Sequence, residues 1–284
     1  MGDRFKTRMQ TFLDTKDTKS MVFTEDLKNM LYLAQESDVD LVMGMVKRFH
    51  VQNKSLRFGG FIFGPVVMRL LHHLGRSDVA LRALMDPELE GFFDQVSSFI
   101  LCMDILYKDQ HYEECLQVMD KLLDKQFENN KFPKSACNLA LAACYKLNTP
   151  ESWDYSSRIL RNAQESGAEL TRKAVCFNAG LGLKQKKLQE AAEVLAVSPQ
   201  PNYVTVRNLK IMTLALLNRH EDALSVLNAI ANADNPTGLS RTSVTKDCIE
   251  VLDDVFGKMN DQVLVSEYQR LRKGLQQIGQ TFET

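Results

Sequence analysis

Side chains able to do acid–base, nucleophilic or metal chemistry are present in this 284-residue sequence, but not at the spacings such chemistry needs. The five histidines (His50, His72, His73, His111, His220) are scattered. His72 and His73 are neighbours on a predicted helix, so they point to different faces. The six cysteines (Cys102, Cys115, Cys137, Cys144, Cys176, Cys248) form no CxxC pair. Several lie in apolar helical runs, such as Cys144 in LALAACYKL, and read as small core residues in a reducing compartment. There is no HExxH, no Gly-rich phosphate loop and no GxSxG elbow. Glu113-Glu114 and Asp253-Asp254 read as solvated helix surface. No catalytic residue, metal ligand or cofactor site is expected, and the chain reads as a binding protein rather than an enzyme.

Charge is where the sequence becomes uneven. The net charge is −1. Residues 1–83 hold thirteen basic and nine acidic residues, and residues 84–130 hold three and eleven, a net −8. Residues 170–220 hold eight basic and two acidic residues, a net +6, and residues 221–284 are again acidic at six against ten. A local basic stretch can neutralise phosphates even when the whole chain is near neutral. The acidic stretch repels a polyanion or meets a basic protein partner.

The elements that would carry these residues repeat. Six stretches share a polar turn followed by a short apolar-periodic helix, centred on Val42, Ala80, Cys115, Ser156, Ala191 and Ala223. Successive spacings are 38, 35, 41, 35 and 32. From the second stretch on, each follows another helical run with apolar residues every three or four positions, for example VRNLKIMTLALLN before Ala223. Gly75, Asn148 and Asn218 fall where a first helix should stop, and Thr149-Pro150 supplies the cap and first position of another. No window alternates with period two for long, so no sheet is expected. One helix pair cannot bury its apolar face alone, and stacking the next pair closes the core. The expected fold is all-α: a right-handed α-solenoid of stacked helix-turn-helix pentatricopeptide-like repeats with C-terminal capping helices. Its parts are an N-terminal extension over 1–23, about six helix-pair repeats over 24–233, and capping helices over 234–284. DNPTGLSRTS (234–243) is a loop signal, and Leu264, Tyr268, Leu271 and Leu275 form an apolar stripe that caps the array or pairs with another protein. Nothing approaches the run of about 18 apolar residues that a membrane helix needs.

The W-x2-L-G-x2-Y signature of tetratricopeptide repeats is absent, and the one Trp, Trp153, lies in a second helix. Several runs resemble, in order and spacing, the animal mitochondrial family of pentatricopeptide repeat-containing protein 2. They are FGPVVMRL (63–70), ELEGFF (88–93), SSFILCMDILY (97–107), ACYKLNTPES (143–152), AVCFNAGLGLKQ (174–185) and LQQIGQT (275–281). The resemblance extends from about residue 24 to the C-terminus. It implies an RNA-binding protein of the mitochondrial matrix that supports maturation, processing or stability of respiratory-chain transcripts, cytochrome b being the implied class. That family opens with a presequence, which this chain does not carry, so its N-terminus reads as a mature or trimmed form with an added Met.

In such repeats a base is read by the fifth residue of the first helix together with the last residue of the repeat. Counting back fifteen from the anchors gives Asn208, Cys176, Ile100 and Pro65. In the Ser156 repeat the turn reads as longer, and alignment on Tyr145 gives Asn138. The repeat-ending residues come out as Gln95, Thr171 and Tyr203. The base-reading candidates are therefore Asn138 with Thr171, Cys176, Tyr203 and Asn208, amides and hydroxyls suiting a Watson–Crick edge and Tyr203 suiting a stack. Arg172, Lys173, Arg207 and Lys210 are the phosphate candidates; Lys184, Lys186 and Lys187 read as solvated turn. The expected partner is single-stranded mitochondrial RNA. A protein partner, through the acidic 84–130 surface or the C-terminal helices, belongs to the alternative reading: a protein-binding helical-repeat scaffold without base-specific reading.

Overall fold

A computed structural model describes residues 2–14, 21–56, 60–127, 131–231, 244–277 and 281–282. Among them are fifteen α-helices. The first eight are α1 (Gly2–Asp14), α2 (Thr24–Leu33), α3 (Val39–Leu56), α4 (Gly64–His73), α5 (Ser77–Met85), α6 (Val96–Lys108), α7 (Tyr112–Asp124) and α8 (Lys134–Leu147). The rest are α9 (Pro150–Glu165), α10 (Arg172–Lys184), α11 (Leu188–Ala196), α12 (Val204–Leu216), α13 (His220–Ala231), α14 (Lys246–Gly257) and α15 (Gln262–Gln277). The sole β pairing among the described residues is a two-residue parallel ladder, Val244 with Thr281 and Thr245 with Phe282. The predicted loop over 234–243 lies outside the described residues. The chain forms two compact units, Met1–Ala143 and Cys144–Thr284.

In the first unit α4 packs on α5 and α6, and α6 packs on α7. Within the stretch read as an N-terminal extension, α1 lies on α3, with Met9 buried and Lys6 ion-paired to Asp38 at 2.6 Å. Leu13 occupies the space that a Cβ at Gly44 would fill. In the second unit α10 and α12 lie side by side, each packed on its own following helix, α11 or α13. The pair α14 and α15 closes that stack against α12 and α13. Tyr268, Leu271 and Leu275 are buried there and Leu264 packs against them, so the stripe is spent on the cap rather than offered to a partner. Tyr268 stacks on Phe256 with centroids 4.7 Å apart and donates to Asp253 Oδ1 at 2.7 Å. Burying each such side chain contributes about 1.5–3 kcal/mol.

One backbone device sets the repeat. Helices α4, α6, α8, α10 and α12 each run into a left-handed residue: Gly75 (φ 66°), Gln110 (64°), Asn148 (51°), Lys186 (57°) and Asn218 (61°). At four of them the next N–H turns back to the helix: Arg76 to Leu71 O, His111 to Leu106 O, Lys187 to Gly182 O and Arg219 to Leu214 O, at 2.8–3.0 Å. These closures satisfy carbonyls that a helix end leaves open. Glycine does this without steric cost, whereas Gln110 and Lys186 carry a cost of about 1–2 kcal/mol each. Five residues after each left-handed position stand Ala80, Cys115, Trp153, Ala191 and Ala223, all buried.

This corrects one sequence reading. The turn before α9 is no longer than the others, and the equivalent of the small anchor there is Trp153, not Ser156. Gly182 accommodates the bulk, since a Cβ on it would lie 3.1 Å from both Ala191 Cβ and the Trp153 ring. Ser156 is fully buried for another reason: its hydroxyl accepts from Asn178 Nδ2 at 2.7 Å. At α9, Thr149 Oγ1 accepts from Ser152 N at 3.1 Å and Pro150 takes the first helical position, as the Thr149-Pro150 pair implies.

Candidate nucleic-acid interface

The left-handed residues give a common register for the reader positions. Ten residues before each stand Pro65, Ile100, Asn138, Cys176 and Asn208. Asn138 is half-buried on α8. Thr171 is the N-cap of α10, its Oγ1 accepting from Ala174 N at 3.1 Å. Cys176 is half-buried and packs against the core of Val175, Ala179, Ala191 and Leu195. Burial pushes its thiol up, with Arg172 opposing.

Asn208 does not present its amide as the sequence reading expects. It is 2% exposed. Its Nδ2 donates to Val204 O at 2.8 Å, and its Oδ1 accepts from Thr245 N at 2.9 Å. Its Oδ1 fixes the chain where it enters α14, and its Nδ2 bonds back within α12. A base could reach them only by breaking those bonds.

Tyr203 takes the N-cap position of α12 and is 43% exposed. The Arg172 guanidinium carbon lies 3.4 Å from the Tyr203 ring centroid, and Arg172 Nη1 donates to Gln200 Oε1 at 3.1 Å. The cation is thus fixed over the ring, a geometry worth about 0.5–2 kcal/mol. Tyr203, Arg207 and Lys210 follow one another at helical spacing along one side of α12. Arg207 is half-buried, burial lowers its pKa, and its Nε donates to nothing among the described residues. An Arg so placed gains from an anion more than a fully solvated Arg does, because part of its desolvation is already met in the free protein. Lys210 is exposed and borders a cleft of about 360 Å³ between α11, α12 and α13, with Arg219 across it. Arg219 is held by Asp222 at 2.7 Å. Lys173 is exposed at the start of α10.

Arg207 and Lys210 therefore continue along α12 from the Arg172–Tyr203 stack, as a short strip of cations. Asn208 lies off that strip, pointing into the packing with Thr245. Gln200 and Arg219 join it without having been singled out in the sequence. Gln200 stands in the Ser198–Pro201 turn and Arg219 directly after left-handed Asn218, so both had turn positions as their one signal. Lys184, expected as solvated turn, is exposed at the end of α10 and lies over Tyr145, 3.6 Å from its centroid.

In the first unit much of the 84–130 acidity is spent internally. Lys47 pairs with Asp86 and Glu88 at 2.7 Å each. Lys125 pairs with Glu90 and with Asp94, and Lys108 and His72 both meet Asp104. The neighbouring lysines hold Asp86, Glu90 and, against its burial, Asp104 below the usual carboxylate range. Among the described residues no three His, Cys, Asp or Glu converge as metal ligands, and no helix is long and apolar enough to cross a membrane.

No protein-family model matches the chain. Among curated proteins it is 31% identical over 269 residues to pentatricopeptide repeat-containing protein 2, mitochondrial, of Xenopus laevis, covering 93% of this chain and 69% of that protein. The Mus musculus protein of the same name is 33% identical over 251 residues, covering 88% of this chain and 64% of that protein. The Homo sapiens protein is 30% identical over 262 residues, covering 92% and 66%. The chain thus spans about two thirds of the length of these relatives. Among solved structures it is similar to the pentatricopeptide repeat protein PPR10 in complex with an 18-nt psaJ RNA element. The TM-score is 0.53 at 14% identity, over 98% of this chain and 40% of that one. That likeness establishes the fold, an all-α solenoid of helix-turn-helix repeats.

Proposed function

Because the chain belongs to the family of mitochondrial pentatricopeptide repeat-containing protein 2, we propose that it holds single-stranded RNA in the mitochondrial matrix and performs no chemistry of its own. The observation that carries this reading is the strip on the second unit, where the Arg172–Tyr203 stack leads into Arg207 and Lys210. The aromatic ring offers a stacking surface to a base, and the cations meet the phosphates on either side. Asn138 on α8 and Thr171 at the N-cap of α10 are each kept as proposed base contacts, being polar side chains at reader positions. Cys176 is kept as a weaker contact, and Asn208 is assigned to the fold.

The test is fluorescence anisotropy with labelled single-stranded RNA at several salt concentrations. Replacing Arg172, Lys173, Arg207 and Lys210 together by Gln should weaken binding and flatten the salt dependence by about three in log–log slope, at roughly 0.7 per lost phosphate contact. Unchanged affinity and slope would remove the strip from the reading. The transcripts proposed are those of the respiratory chain, cytochrome b in particular, which the family resemblance alone supports. Crosslinking in mitochondria followed by RNA sequencing should enrich them, and enrichment of other transcripts only would overturn that part.

A protein-binding scaffold is the second reading. Asp109, Glu113 and Asp124 favour it, being exposed and outside any ion pair among the described residues. It predicts negligible RNA affinity at every salt concentration.

A further inference from the structure

The second unit holds a cleft of about 560 Å³ between α9 and α11, with Asn178 of α10 among its lining. On α9 the cleft runs from Trp153 to Gln164, roughly 16 Å at about 1.5 Å per residue. It is separate from the cationic strip, since neither the Arg172–Tyr203 stack nor Arg207 nor Lys210 lines it.

Three properties of the lining point to an occupant. The first is an unanswered acceptor. Asn178 is fully buried, its Nδ2 donates to Ser156 Oγ at 2.7 Å, and its Oδ1 accepts from nothing among the described residues. A buried acceptor in that state favours an occupant that brings a donor. The second is apolar surface: Trp153 and Leu160 are buried, Val194 is half-buried, and Val197 is 55% exposed at the end of α11. The third is charge that changes sign along the cleft. Trp153 and Ala191 meet at Gly182, where a Cβ would lie 3.1 Å from each, so α9 and α11 start side by side. Asp154 and Glu190 are the neighbours of those two residues, and Glu193 follows on α11, so this end is acidic. Glu193 accepts from Gln189 Nε2 at 3.5 Å, and Asp154 and Glu190 are exposed and in no ion pair among the described residues. Two turns along α9 stands Arg161, exposed and likewise in no ion pair among the described residues. Arg158 lies between them, with its guanidinium over the Tyr155 ring, 4.8 Å from the centroid.

Asp154 and Arg161 are seven residues apart on one helix, a separation of about 10 Å along its axis. An occupant that answers both ends therefore carries a cation and an anion at that spacing. A helix supplies it, because residues i and i+7 lie on one side about 10 Å apart, whereas same-face residues of a strand fall about 7 or 14 Å apart. The carboxylates disfavour a polyanion. We infer that the cleft docks a helix of a partner protein that carries Lys or Arg at i, an aliphatic residue at i+3 or i+4, and Asp or Glu at i+7. The cation meets Glu190, Glu193 and the Asn178 acceptor, the aliphatic residue covers Leu160, Val194 and Val197, and the carboxylate meets Arg161. The RNA reading does not enter this inference.

Trp153 is the single tryptophan of the chain and lines the cleft, so its emission reports occupancy. The probe is an alanine-based peptide of about fifteen residues, long enough to form helix, with Lys at i, Leu at i+3 and i+4, and Glu at i+7. Titrated into the full chain it should shift the Trp153 emission and saturate near about 100 µM, with calorimetry giving the same constant. A peptide with Lys and Glu exchanged should bind about tenfold more weakly. Replacing both Glu190→Lys and Glu193→Lys, at exposed positions, should weaken the first peptide about tenfold and should favour a peptide carrying Glu in place of its Lys. Arg161→Gln should weaken binding about threefold, and not at all for a peptide with Gln in place of its Glu. The quadruple Gln variant of the strip should bind the peptide as the unaltered chain does, so the strip and the cleft fail separately. The inference is overturned if the peptide does not saturate, if the exchanged peptide binds equally, or if the double Lys variant binds normally. Self-association of the full chain that the double Lys variant abolishes would give the cleft to a second copy and overturn the partner.

Discussion

Replacing Asn208 by Ala separates a structural amide from a reading amide. The loss leaves Thr245 N–H without its acceptor where the chain enters α14, which costs about 1–3 kcal/mol. The small void at a position 2% exposed adds about 1 kcal/mol. The bond to Val204 O is also lost, but that carbonyl lies inside α12 and keeps its helical partner. The expected total is about 2–4 kcal/mol, or roughly 5–15 °C in the midpoint of a unit of this size. Asn208→Asp keeps the acceptor for Thr245 N and places a negative charge at the N-terminus of α14. It should destabilise as well, because the carboxylate is buried and its second oxygen faces Val204 O where Nδ2 donated. Thermal unfolding followed by circular dichroism measures both variants, and hydrogen exchange should quicken at the first amides of α14. RNA affinity well below the melting range should stay within about twofold for either. If Asn208→Ala melts like the parent and loses tenfold in RNA affinity, Asn208 is a reader and its assignment to the fold is wrong.

Two glycines on α10 should respond oppositely to the same change. Gly182→Ala gains helix propensity but drives a methyl against Ala191 and the buried Trp153 ring, so a net loss of about 1 kcal/mol is expected in chemical denaturation. Gly180→Ala meets the half-buried Tyr145 ring, which can swing aside, and should be neutral or stabilising by up to about 0.5 kcal/mol. Alkylation tests the thiols, none of the six being in a disulfide. Burial pushes Cys102 and Cys248 up to about 12 and Cys137 to about 11. Native protein at pH 8 should therefore label slowly by mass spectrometry, Cys176 leading, and unfolded protein should label at all six. Rapid native labelling of Cys102 or Cys248 would refute that burial.

The helical repeat was legible because helix periodicity and turn residues are local. Gly75, Asn148 and Asn218 stop their helices where expected, since Gly and Asn tolerate left-handed backbone. Gln110 and Lys186 adopt the same conformation with no local preference for it, so packing imposes it and sequence reading passed over them. Trp153 reads in sequence only as a residue of a second helix, because its role depends on Gly182, nearly thirty positions away. Ser156 reads in sequence as an anchor because it is small, whereas in the fold it is buried as the acceptor for Asn178 on the next helix.

The site divides in the same way. Basic composition over 170–220, and Arg172, Lys173, Arg207 and Lys210 within it, are properties of sequence alone. Which of them share a side of α12, and that Arg172 lies on Tyr203, depends on helices meeting across the loop at Gln200. Asn208 is the clearest case. An amide at a reader position looks available in one dimension, yet whether its two hydrogen-bonding poles face solvent or Thr245 is decided only when α14 packs against α12. Burial and partnership of a polar group are properties of the assembled helices, because each bond it makes joins positions far apart in the chain.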